Sequence, residues 1–487
     1  MTSRSHRILA GSAAAAVTTA ALLAATGATT AVAYPRAAAV HPSAVSAKAT
    51  ASPWTTLSSG AGVNISFQPS VVRWGRQLIV VWPQKSGSGQ AIRSRILGAT
   101  GTPASAVRTA VTWSSVSSDP RVILLGGVPT IVFNGNRTDI TTDPYTGPMA
   151  YAQSPTATAW SLGAGSLSHD SAEYGLGAVD DGTGQPLVAF AGSSSAHVTF
   201  HHGIDPAVPA AADSVTGDTG SVQDVGVARD PKTGAVYALW YSGSSNPAIQ
   251  GIHSAQVLPS LGAPSAPAPL STVTYLGAKT SVSPGQDVSV TGRVGGGVWA
   301  AYPSGYPSAH TVVLWNVETG RTLTLSRPAG AVQYVGISAA PGGRVWVWWA
   351  ENGAVYAVRT NPAVTRFGVV RRVLAPGGYS PTRTAGDGAL GFLDVVINQS
   401  NNGAPSAIST TRIYEVPLVT ARRSGATVTV TVSDAGLPVA GASVRVGGVT
   451  KRTGATGTVS FAAGAKGTHA VAVSAAGFAA AATSYRV

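Results

Sequence analysis

Two columns of residues recur along this chain at spacings that could do chemistry. The first is polar: Gln68, Asp119, Glu173, Gln223, Gln286, Gln333 and Ser380. The second is mostly aromatic: Trp82, Phe133, Phe190, Trp240, Tyr302 and Trp349, with Asp394 in the seventh place. Each member of the second column follows a turn glycine by six residues, or by seven in the first case. If every hairpin is symmetric about its turn, the two columns are cross-strand neighbours, and directly opposed residues share a face of the sheet. An amide beside a flat apolar ring suits a sugar, whose hydroxyls meet the amide while its C–H edges meet the ring. Packing uses the same residues equally well, with aromatics wedged between sheets and amides satisfying loop backbone. Asp394 stands apart, because an isolated buried carboxylate is costly. It must be solvated, paired with Arg383 or Arg412, or part of a site.

Hydrolysis of a glycosidic bond needs two carboxyls, about 5–5.5 Å apart for retention or about 6.5–9.5 Å for inversion. Asp119 and Glu173 open successive repeats, and Asp224 lies one position past the column in the next, so these three are the residues an enzyme would use. Acid is scarce, however: the chain has four glutamates, Glu173, Glu318, Glu351 and Glu415, so proximity within a ring needs no functional cause. His197 and His201 share a strand face about 13 Å apart by rise, too far for one metal. No nucleophile elbow, phosphate-cradling glycine motif or zinc spacing occurs. Neither cofactor nor metal is expected.

The elements that must position these columns are short strands. In QPSVVRWGRQLIVVWPQKSGSGQAIRSRIL (68–97), apolar β-formers run to a turn at Gly75, return through QLIVVW, and continue in AIRSRIL. The unit restarts at 119, 173, 223, 286, 333 and 380, intervals of 51, 54, 50, 63, 47 and 47 residues. That is the period of a propeller blade. The expected fold is all-β: a seven-bladed β-propeller over 52–418, then a small β-sandwich over 419–487. Trp113 and Trp160 lie in runs that close the first two repeats as outer strands. The last repeat lacks such a run, and SPWTTLS near Trp54 is expected to supply it, pairing near Ala407–Val416. Closure of this kind removes the exposed edges that invite aggregation.

Residues 1–33 read as a secretory signal, with Arg4 and Arg7 before an apolar run and Ala31-Val32-Ala33 as the cleavage site. Residues 34–51 are a flexible linker rich in Ala, Ser and Pro. No later stretch is long and apolar enough to span a bilayer, so no anchor is expected after cleavage. The chain has no cysteine. An exported protein without disulfides must rely on its core, and a chain of this length can bury one.

The C-terminal region carries Gly436-Leu437-Pro438-Val439-Ala440-Gly441-Ala442-Ser443-Val444, then Thr453 through Gly457 to Phe461, then Val473-Ser474-Ala475-Ala476-Gly477-Phe478. Over about 60 residues these resemble the carboxypeptidase-regulatory-like modules of transthyretin type, an Ig-like fold. The resemblance implies a non-catalytic accessory of a secreted bacterial protein. More loosely, the repeats resemble sialidase-type and lectin propellers. They lack the Asp-box turn and the arginine-bearing opening motif of sialidases, so no catalytic residue carries over.

Charge is concentrated at the C-terminus. The whole chain is +13. Residues 52–418 hold 21 basic and 18 acidic side chains, whereas 419–487 hold seven basic ones against Asp434 alone. Such a field attracts an anionic polymer or surface. There is no basic motif interleaved with aromatics, so nucleic acid is not an expected partner. The reading is a secreted, non-catalytic binding protein. Its propeller would recognise a carbohydrate, cell-wall polymer or protein partner, and its basic module would dock to an anionic cell surface. The polar and aromatic columns, Asp394 included, are its candidate ligand contacts. A sialidase-like glycoside hydrolase using Asp119, Glu173 and Asp224, and a structural subunit of a secreted assembly, are the alternatives.

Overall fold

The computed structural model describes residues 54–60, 62–63, 67–113, 116, 119–135, 149–164, 167, 175–191, 197–204, 213–214, 222–242, 251–265, 288–304, 309–327, 331–401 and 404–487. Its longer elements are all strands. Among these residues no helix is long and apolar enough to cross a membrane.

Seven small antiparallel sheets follow one another in chain order. Their innermost strands are Ser70–Trp74, Arg121–Leu125, Leu176–Asp180, Val222–Arg229, Ser289–Gly292, Gln333–Ala340 and Pro381–Gly388. Each is followed by a central strand, such as Gln77–Ser86 in the first sheet and Arg344–Glu351 in the sixth. The central strands are buried on both faces, which is why QLIVVW and VWVWW read as continuous apolar runs. Alternate residues then enter different cores. Ile79 and Val81 pack with Ile131 and Phe133 of the second sheet, while Leu78, Val80 and Trp82 pack with Val396 of the seventh.

The same wedge recurs between each pair of successive sheets: second with third, third with fourth, fourth with fifth, fifth with sixth, and sixth with seventh. The wedge between the seventh and first sheets also takes in Leu57. That residue lies on Thr55–Ser59, which pairs antiparallel with the last strand of the seventh sheet, Thr55 opposite Thr410 and Ser59 opposite Ala407.

The innermost strands are held together by side chains bonded to the neighbouring sheet. The Val122 N–H donates to Ser70 Oγ, Ser289 Oγ donates to the Val335 carbonyl, and the Ala339 N–H donates to Thr291 Oγ1. Thr384 Oγ1 donates to the Tyr334 carbonyl and accepts from Trp348 Nε1. The approach is so close that two glycines have no substitute: a Cβ on Gly226 would overlap the Val288 carbonyl oxygen, and one on Gly292 the Arg229 carbonyl oxygen.

Residues 418–487 form two further sheets. One contains Leu418–Ser424, Thr427–Asp434, Leu437–Pro438 and Thr458–Ala462; the other contains Ser443–Val446, Val449–Arg452, Thr468–Ser474 and Ala481–Arg486. Val428, Val430, Val432 and Phe461 of the first meet Val444, Val446, Val471, Val473 and Tyr485 of the second in one core.

This pair of sheets is joined to the sixth and seventh by a buried ion cluster. Asp434 accepts from Arg359 Nη2 at 2.8 Å and lies 2.9 Å from Arg344 Nη1. The Arg359 guanidinium lies between the rings of Trp346 and Phe478, 5.7 and 5.6 Å from their centres. Glu415 is fully buried 3.7 Å from Arg359 Nε, and its carbonyl accepts the Ala479 N–H. Burial pushes its carboxyl up to about 8, against the pull of Arg359.

Two tests follow from this architecture. Gly226→Ala forces a methyl into backbone and should cost about 1–3 kcal/mol, as overpacking does. Urea unfolding measures it, and a midpoint equal to that of the parent would contradict the close approach. The second concerns Glu415. A raised carboxyl means the folded form holds a proton that the unfolded form has lost. Its stabilisation is therefore complete below about pH 4.5 and disappears as pH rises toward 8, by up to about 1.4 kcal/mol per unit. Glu415→Gln should remove that component, so the variant gains on the parent between pH 5 and 8. Parallel stability curves for the two proteins would show that Glu415 is ionised.

Candidate functional site

Residues from all seven sheets line a cavity of about 170 Å³. Gln68, Ser70, Arg121 and Ser289 supply its polar groups, and Gly177, Gly226, Trp348 and Gly386 are among its other walls. Two members of the polar column meet at its edge. The Gln68 N–H donates to Asp119 Oδ1 at 2.8 Å, and Gln68 Nε2 donates to the Thr384 carbonyl at 2.8 Å. Gln68 thereby ties the first, second and seventh sheets together.

Asp119 and Asp224 are both buried within the field of Arg383, and the charge of Asp119 acts on Asp224. Burial raises both carboxyls; Arg121, the Gln68 N–H and Arg383 oppose it at Asp119, and Arg383 opposes it at Asp224. Asp224 has a φ of +54°, and neither of its carboxyl oxygens has a hydrogen-bond partner. Yet neither carboxylate contributes to the cavity wall. Glu173, the third residue of the hydrolase reading, and Gln286 lie outside the described residues, as does the side chain of Gln223.

The symmetric-hairpin expectation fails at the register. Gln223 opposes Tyr241 and not Trp240, and Gln333 opposes Ala350 and not Trp349. In both sheets a bulge follows at once, with Asp224 and Tyr334 in the left-handed region, and it shifts every later pair. Leu176 takes the place opposite Phe190.

The aromatic column is core. Trp82, Phe133, Phe190, Trp240, Tyr302 and Trp349 are at most 1% exposed, so no ring face is open to a sugar. Trp349 stacks on Tyr356 with ring centres 5.6 Å apart, and its Nε1 donates to Glu351.

Asp394 also lies elsewhere than its spacing implies. It opposes Asp387, one pair in from the Gly388–Leu393 pair that ends the strands, and so sits near the hairpin tip. Gly388 is not in the turn but pairs with Leu393 on the strand, so a count of six from it ends near the hairpin tip. Asp394 is paired, as its burial demands: Arg412 donates to both oxygens at 2.7 and 3.0 Å, and Arg73 lies 3.1 Å away. Arg383 does not reach it; that guanidinium lies 5.6 Å from the centre of the Tyr334 ring and bonds the Thr382 carbonyl.

The C-terminal sheets carry exposed side chains of one charge sign. Arg422, Arg423, Arg445, Lys451, Arg452, Lys466 and Arg486 are all exposed. Several are steadied by backbone carbonyls, Arg423 by Gly425, Lys451 by Ser460 and Arg452 by Gly441, which leaves their charge uncompensated. The region's one acid, Asp434, is buried against Arg359 and Arg344. Seven cations therefore face solvent with no anion among them. Spacing revealed the charge excess, but nothing in it marked Asp434 as withdrawn.

The fold is β-propeller-like. Among solved structures the chain is similar to a polysaccharide lyase, Uly1, at 9% identity over 72% of this chain and 90% of that one, with a TM-score of 0.42. It is also similar to the PQQ-bound form of an aldose sugar dehydrogenase from Streptomyces coelicolor, at 14% identity over 60% and 93%, with a TM-score of 0.35. No family model and no curated protein matches the chain. Likeness at this level assigns it neither a reaction nor a ligand.

The burial of the rings gives a direct test. Trp349→Ala should cost about 3–5 kcal/mol, the loss expected for a large core aromatic. A thermal melt close to the parent's would instead place the ring at an open surface.

Proposed function

We propose that this chain is a secreted, non-catalytic binding protein: a closed seven-bladed propeller carrying an Ig-like module whose basic surface holds an anionic polymer outside the cell. The observation that carries the reading is the one-signed surface of residues 419–487, seven exposed cations with their only acid buried. An exposed array of this kind attracts a polyanion over about 10 Å at 0.1 M salt, and the attraction weakens as salt rises. Wall teichoic acids and acidic polysaccharides are the polyanions an exported protein meets.

The cycle of seven wedges and the pairing of Thr55–Ser59 with the seventh sheet support the closed ring. Two four-stranded sheets around one core support the Ig-like module. Secretion rests on the charge and apolar pattern of residues 1–33. The hydrolase reading is not favoured, because Asp119 and Asp224 do not face the axial cavity.

On an immobilised acidic polysaccharide, the protein should elute at markedly lower salt after Arg422→Gln, Arg423→Gln, Lys451→Gln and Arg452→Gln are combined. Four changes on the exposed propeller surface, Arg76→Gln, Lys85→Gln, Arg108→Gln and Arg372→Gln, remove the same net charge and should shift elution far less. Equal shifts would mean that retention follows net charge alone and would defeat the assignment to the module.

A further inference from the structure

A second cavity, of about 640 Å³, lies between the sixth sheet, the connection Val416–Val419 and the second C-terminal sheet. Its volume falls within the roughly 300–1,000 Å³ typical of ligand clefts. Two guanidiniums line it, Arg371 from the outer strand of the sixth sheet and Arg445 from Ser443–Val446, and no carboxylate does.

The neighbours of Arg445 are set by register. Thr450 and Ala472 lie directly opposite it on the two flanking strands, and Ser443 lies two residues away on the same face. Ser443, Thr450 and Ser474 therefore share the cavity with Arg445, while Val369, Val416 and Pro417 give it an apolar side. A guanidinium is a planar fork of donors that matches carboxylate and phosphate geometry, and two of them line this groove.

We propose that this groove binds a segment of a carboxylated or phosphorylated glycan, its anionic group held between Arg371 and Arg445 and its hydroxyls met by the surrounding serines and threonines. The inference deepens the polyanion reading and rests on it: the basic surface gathers the polymer, and the groove seats one stretch of its chain. Cations on both walls, no lining acid, and several hydroxyls select against a neutral or cationic occupant.

Short oligomers separate the groove from the general field, because they offer too few charges to be retained by the surface alone. Titration calorimetry on the full chain would use oligogalacturonate, a glycerol phosphate oligomer and a neutral malto-oligosaccharide. One anionic oligomer should bind, which identifies carboxylate or phosphate as the natural group, and the neutral one should not. Ala472→Phe fills the groove from an exposed position without altering charge, and Arg445→Gln removes one guanidinium. Each should weaken binding at least tenfold with the thermal melt preserved. The long polysaccharide should still be retained by both variants through the remaining cations. Equal affinity in parent and variants, binding of the neutral oligomer, or no binding of either anionic oligomer would overturn the groove while leaving polymer retention intact. Loss of retention on the long polymer by the parent would instead remove the polyanion reading itself.

Discussion

Everything in this molecule depends on how closely the innermost strands approach one another. Strands from successive sheets come near enough that a hydroxyl on one reaches the backbone of the next, and near enough that Gly226 and Gly292 leave no room for a methyl. This proximity lets each central strand bury both faces, since a sheet pressed on both sides has no solvent face to keep polar. The large aromatics fill the widening space away from the axis. Trp82, Trp240 and Trp349 have the size that a wedge requires, and each leaves almost no surface exposed.

The same crowding leaves the axis poor in accessible chemistry. The cavity of about 170 Å³ is walled largely by glycine, valine and backbone. The acids near it, Asp119 and Asp224, are turned into the protein, where burial disfavours their charged forms. Gln68 is committed at both its main-chain N–H and its amide. Polar residues at the axis here connect one sheet to the next.

Much of this architecture was legible in the chain, because turn glycines and paired β-runs repeat with each sheet. The strand at Trp54 could be read too, since the final repeat lacked an outer run and WTTLS resembled those of the first two. What could not be read was register. A count from the turn glycine assumes that no residue is inserted, but bulges after Gln223 and Gln333 insert residues and move the opposed pairs. At Asp394 the count failed because Gly388 lies in the strand, opposite Leu393, and an acid near the hairpin tip was aligned with rings at the far end of the sheet. Its burial was the better guide: a buried carboxylate must be paired, and of the two arginines named from sequence Arg412 is the one that reaches it. Arg445 was legible only as one of seven basic residues and nothing joined it to Arg371, since the two are 74 residues apart and line a common groove only in the folded chain.

Docking itself shapes the charge on the outside. Asp434 is withdrawn from the surface of its own sheets to meet Arg359 and Arg344, so joining the two regions also strips the module's exterior of negative charge. Glu415 extends that logic inward. Burial keeps its proton on to about pH 8 although Arg359 lies 3.7 Å away, so that a neutral Glu415 makes no full charge pair with the cations around it. Arg371 lies within its field and lines the groove. Were Glu415 ionised at neutral pH, it would compete with any external anion for that guanidinium. A carboxyl held neutral by burial thus keeps a neighbouring cation available at the edge of the same interface.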